Sequence, residues 1–138
     1  MSSEEISEEV KRKYIELQSL NEQFKQVQER LEKVEDQHSE LMQVISDIEE
    51  VKDIKKDSES YVPVHNGIFL KAKIIDNKKL HVNVGNGTVV EKTIDEVKEV
   101  LAKQAGEIDN VKEDMQEKLQ QMIARMQTLE KDLSVHFG

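Results

Sequence analysis

The residues of this 138-residue sequence that could carry chemistry are four histidines, 29 acids and a pair of glycine-containing turns. His38, His65, His81 and His136 are scattered, and none stands in the i, i+4 helical relation that a histidine metal site uses. His38 reads as an occupant of an apolar stripe and not as a ligand. There is no cysteine, which removes thiolate nucleophiles, cysteine-ligated metals and disulfides together and suits a reducing compartment. Gly85-Asn86-Gly87 is not a phosphate loop, since no Gly-Lys-Ser/Thr follows it and no helix opens from it. It reads as a hairpin turn. The acids read mostly as solvated faces and i, i+4 pairs such as Glu29 with Lys33; a paired-carboxylate site is the one enzymatic alternative they leave open. The expectation is a protein that is not an enzyme, with no cofactor and no metal.

Hydrophobic residues make up 36% of the chain and charged residues an equal 36%, with 4% aromatic and one proline. Ordinary soluble domains are more apolar and less charged, whereas long helices and coiled coils have this balance. A net charge of −9 repels phosphate backbones. The nearest approach to a basic patch, Lys71, Lys73, Lys78 and Lys79, alternates with apolar residues and reads as the wet side of a hairpin, so no nucleic acid partner is expected. No apolar run approaches the roughly 20 residues of a membrane span, and the acidic stretch from Met1 to Glu9 lacks the basic start of a signal peptide. A soluble, cytoplasmic protein without a membrane partner is expected.

Two heptad series position everything else. The first runs Ile6, Val10, Leu17, Leu20, Phe24, Val27, Leu31, Val34, Leu41, Ile45 and Ile48, with Lys13 and His38 as its polar occupants. This 3-4 spacing over about six heptads is a coiled-coil seam. The second runs Ile94, Val97, Leu101, Gln104, Ile108, Val111, Met115, Leu119, Met122, Met126, Leu129, Leu133 and His136. It opens on a capping box, Thr93 with Glu96, and carries a stutter at Met115 to Leu119 that would locally unwind a supercoil. Gly106 reads as tolerated at a cost of about 1 kcal/mol. Each series covers about 43 residues, on the order of 65 Å of helix. Equal arms suggest an antiparallel hairpin in which residue i faces roughly residue 142 − i, with a slip of three or four. His38 then meets Gln104, either as a register-fixing polar layer or with both side chains reaching outward.

Between the arms, Tyr61 to Glu91 reads as four short strands, with Asn-Gly at 66–67 and 86–87 as type I′ turn signals. Two β-hairpins follow. Leu70, Ala72 and Ile74 alternate with Lys71 and Lys73, and Leu80, Val82 and Val84 alternate with His81 and Asn83, so each hairpin has an apolar face. Pro63 marks an edge or a strand start. About 30 residues of hairpin cannot bury a core, so Val62, Val64, Ile68, Leu70, Ile74, Leu80, Val82, Val84 and Val89 are expected to meet other subunits. The expected fold is α+β, a long antiparallel coiled-coil hairpin with two β-hairpins between its helices. The segments are residues 1–57, 58–93 and 94–138.

Helix, two hairpins and helix, with Val62-Pro63-Val64, Val82-Asn83-Val84-Gly85 and Val89-Val90-Glu91-Lys92-Thr93 in the β region, resembles the alpha-class subunit of prefoldin over essentially the whole chain. The length looks archaeal. His65-Asn66-Gly67 departs from the family pattern, which often has extra small residues there. The resemblance implies a hexamer of two alpha and four beta-class subunits, whose hairpins assemble into intersubunit β-barrels with coiled-coil tentacles below. It also implies a holdase that captures unfolded proteins at the tentacle tips and passes them to a group II chaperonin without ATP.

Both ends of an antiparallel hairpin lie at its free tip. There the chain carries Ile6, Val10 and Tyr14 on one arm and Met122, Met126, Leu129, Leu133 and Phe137 on the other. Methionine suits surfaces that repack against many partners, although Met122 and Met126 also fit as plain seam residues. Non-native chains are expected to bind at residues 1–17 and 122–138, with acidic faces favouring basic or neutral clients. The alternative is a structural coiled-coil scaffold oligomerised through its β segment, which shares every feature except client binding.

Overall fold

The computed structural model describes residues 3–137, with side chains up to residue 135. Helix α1 spans Ser3–Glu50, strands β1 (Glu59–His65), β2 (Ile68–Lys73), β3 (Lys79–Gly85) and β4 (Thr88–Thr93) follow, and helix α2 spans Ile94–Phe137. The chain divides into two compact units, Met1–Gln37 with Ile108–Gly138, and His38–Glu107.

Helix α1 contains neither glycine nor proline, and Glu4 and Glu5 in its first turn complement the helix dipole. Its first unit packs against α2 through Val27, Leu119 and Met122, flanked by Leu20, Phe24, Leu31 and Met115. Leu129 has no exposed surface at all, and Leu133 is buried beside it in sequence. The arms are antiparallel, since the Arg125 guanidinium donates two bonds to the Glu16 carboxylate, at 2.8 and 3.0 Å, and Lys13 donates to Asp132 at 3.2 Å. Lys13 with Asp132 places the register three residues from the 142 − i rule, within the slip expected of it.

The second unit holds the base of the arms and the hairpins. Ile94, Val97 and Ala105 are buried, and Leu41, Ile45 and Ile48 are half-buried. Thr93 Oγ1 accepts from the Glu96 N–H at 3.1 Å, so the cap that starts α2 forms at the predicted place. Lys52 bridges Asp95 at 2.9 Å and Glu49 at 3.4 Å, and Lys98 also reaches Glu49.

The α2 seam differs from its sequence reading. Gln104 and Val111 face solvent, while Ala105 is buried and Lys112 half-buried. From Leu101 the inward residues 105, 108, 112, 115, 119, 122, 126, 129 and 133 alternate steps of 4 and 3, so the stutter lies not at Met115 to Leu119 but at 97, 101 and 105, where two steps of 4 follow one another. Lysine can line a seam with its aliphatic stem while its ammonium reaches water. With Gln104 outside, half-buried His38 has no matching polar layer there.

The hairpins form two separate two-stranded antiparallel sheets, β1 with β2 and β3 with β4. Asn86 and Gly87 both have positive φ, as a type I′ turn needs. The first turn does not: only Gly67, and not Asn66, is in the left-handed region. The pairing slips just before each turn, between Pro63 and His65 in the first hairpin and between Asn83 and Gly85 in the second. The first sheet is anchored beyond its strands, since the Asp57 N–H donates to Ile74 O at 2.7 Å and the Ile74 N–H to Ser58 O at 3.0 Å. Asn77 Nδ2 donates to Ile54 O at 2.7 Å, tying the loop between hairpins to the residue that follows the short 3-10 turn Val51–Asp53.

The base clamp makes a pH prediction. The bond from Lys98 holds the Glu49 carboxyl below its ordinary value, and the bond from Lys52 does the same for Asp95. A carboxyl depressed by folding stabilises the folded state above its unfolded value and loses that contribution as pH falls through the folded one. Thermal stability should therefore hold from neutrality down to about pH 5 and decline below about pH 4. A Glu49→Gln, Asp95→Asn variant should lose part of that dependence, which a melting series against pH measures.

Candidate functional site

Among the described residues, each unit exposes large apolar side chains. On the first hairpin, Val62 faces Leu70 across the strands and Tyr61 faces Lys71. Alternation puts Val62, Leu70 and Ala72 on one side and Tyr61, Phe69 and Lys71 on the other. Every residue of β1 is exposed, as are Ile68, Phe69 and Leu70 of β2, with Leu70 at 62%. On the second hairpin, Leu80, Val82 and Val90 are half-buried, whereas Val84 and Val89 are exposed. Of the residues predicted to oligomerise, Val62, Val64, Ile68, Leu70, Val84 and Val89 are thus open, and Ile74, Leu80 and Val82 partly covered. Alternation with apolar residues predicts a wet face for Lys71. Tyr61 and Phe69 make it partly apolar, their rings meeting edge to face at 6.4 Å between centroids.

At the tip, the predicted residues separate into two groups. Ile6 and Tyr14 are exposed and Val10 and Met126 half-buried, but Met122, Leu129 and Leu133 are buried in the seam. They can touch a client only where the arms part, because the opposite helix covers them. The Phe137 side chain lies outside the described residues. Ile15, 63% exposed, Ile123 and Val135 were not anticipated. All three stand off the 3-4 series, where a heptad expects polar residues, and that mismatch is a signal the sequence already carried. Val10, Lys11, Tyr14 and Ile15 line a shallow, almost wholly apolar cleft of about 290 Å³. It is too small and open to enclose a cofactor and fits an apolar side chain of a partner.

Ion pairs border this patch. The Lys13 ammonium lies 3.2 Å from Asp132 and 3.4 Å from Glu9, and the bond to Asp132 raises its pKa above the usual lysine value. The Arg125 bond likewise holds the Glu16 carboxyl low. Among the described residues no group of three or more histidine and carboxylate side chains is placed to hold a metal ion, and no helix is long and apolar enough to cross a membrane.

Comparison with known proteins gives consistent matches. The family model described as "Prefoldin subunit" matches residues 20–136. Prefoldin subunit alpha 1 of Methanocaldococcus jannaschii is 33% identical over 130 residues, covering 94% of this chain and 89% of that protein. Prefoldin subunit alpha of Archaeoglobus fulgidus is 29% identical over 134 residues, covering 97% and 96%. Among solved structures, filamentous PFD from Methanocaldococcus jannaschii superposes with a TM-score of 0.70 at 14% identity, over 83% of this chain and 95% of that one.

Proposed function

The chain belongs to the prefoldin family of chaperone subunits, and on that premise we propose that it is the alpha-class subunit of a cytoplasmic hexamer with four beta-class subunits. In this reading the complex is an ATP-independent holdase that captures non-native polypeptides at the coiled-coil tips and delivers them to a group II chaperonin. The observation that carries assembly is the apolar surface of the first hairpin, where Val62, Val64, Ile68 and Leu70 are all exposed. A contiguous apolar patch on one chain is a surface awaiting a partner. Four such strands joined to those of other subunits would cover one another's apolar faces and remove free edges by closing a barrel.

Capture at the tip is supported by Tyr14, Ile15 and the cleft beside Val10. Acidic residues around it, Glu4, Glu5, Glu8 and Glu9, favour basic and neutral clients and keep the tip in solution. Native mass spectrometry of the chain alone and with a beta-class subunit tests the assembly. A complex of two alpha and four beta chains is expected; a chain that stays monomeric in the presence of beta subunits would refute it.

A further inference from the structure

Lys13 is an unusual seam residue. It occupies a position where the 3-4 series otherwise places apolar side chains, and its own side chain is only 25% exposed. An ammonium in such a place is costly unless it is paired. It is paired twice, across the hairpin with Asp132 and one turn back with Glu9. Three residues further along α1, Glu16 receives the two bonds from Arg125. Between Arg125 and Asp132 on α2 stands Leu129, completely covered, with buried Leu133 immediately after Asp132.

We infer that the Lys13, Asp132 and Glu9 cluster, with Glu16 and Arg125, is an ionic latch on the tip. Closed, it holds the arms over Leu129 and Leu133; opened, it releases those side chains to a non-native chain. The inference rests on the proposed capture at the tip and assigns its control. Deleting the same ion pair from its two ends has opposite effects. Lys13→Leu completes the apolar seam and keeps it shut. Glu9→Gln with Asp132→Asn leaves the ammonium stranded in the seam and opens it. The pairs are exposed enough for salt to weaken them.

The chain has no cysteine, so Leu129→Cys in the full chain supplies a single thiol whose alkylation rate reports opening. The rate should rise about two- to fivefold between low and high salt, as screening of partly exposed pairs allows. It should rise further in the Glu9→Gln, Asp132→Asn background, and fall in the Lys13→Leu background, where only the Glu16 and Arg125 pair is left to give a weaker salt dependence. Binding of an apolar dye to the same variants with native Leu129 should follow the same order, independently of any effect of the cysteine on folding. Equal rates and equal dye binding in all variants would overturn the latch. Ordered rates with unchanged suppression of client aggregation would instead overturn capture at the tip.

Discussion

Leu70→Glu, combined with Val62→Glu, is expected to abolish hexamer assembly while leaving the isolated chain folded. The two side chains face each other across β1 and β2 and are both exposed in the single chain. Their replacement disturbs only one cross-strand pair within the first hairpin, and helical content should be unchanged. In an assembled barrel both would be covered. Losing two such burials forgoes about 1.5–3 kcal/mol each, before the added cost of desolvating two carboxylates. At about 1.4 kcal/mol per tenfold, association should weaken by roughly a hundred- to ten-thousandfold. Sedimentation with a beta-class subunit reads the result; an unchanged hexamer would place the contacts elsewhere on the chain.

Removing the tips should do the reverse, preserving assembly and eliminating suppression of aggregation. Lys13 opposite Asp132 sets the cut: deleting residues 1–17 and 129–138 leaves the remaining arms paired. The hairpins and the base clamp of Lys52, Glu49 and Asp95 belong to the other unit and lose nothing. A gentler form, Tyr14→Ser with Ile15→Ser, alters only exposed side chains. Stability should change by less than about 0.5 kcal/mol per site, while suppression falls severalfold. Sedimentation and light scattering on the same preparations separate the two effects.

Much of this was legible in the residues because the governing patterns are local. Lys13 and His38 hold the 3-4 spacing of α1 although they are polar, and both are half-buried as that spacing requires. The Thr93 cap and the Asn86-Gly87 turn are local chemistry and form as read. The α2 seam was misread where hydrophobicity and spacing disagreed. Val111 is more apolar than Lys112, and Gln104 fits a 3-residue step from Leu101, yet register with the other arm turns Ala105 and Lys112 inward. Asn66 has the residue type of a type I′ turn, yet only Gly67 takes positive φ there, although both hairpins carry the same slip before their turns. At the tip, seam residues such as Leu129 and Leu133 become available only where the arms part. Availability depends on heptad position: Leu129 is covered, while neighbouring-face residues such as Tyr14 and Ile15 stay open.

The central claim is that this subunit holds non-native chains at its tips. Light scattering from a chemically unfolded protein diluted into buffer, with the complex reconstituted from this chain and a beta-class partner, tests it most directly. The intact complex is expected to suppress the scattering without ATP, and the complex lacking residues 1–17 and 129–138 is not. Equal suppression by both would contradict capture at the tips, and suppression by neither would leave a structural scaffold in place of a holdase.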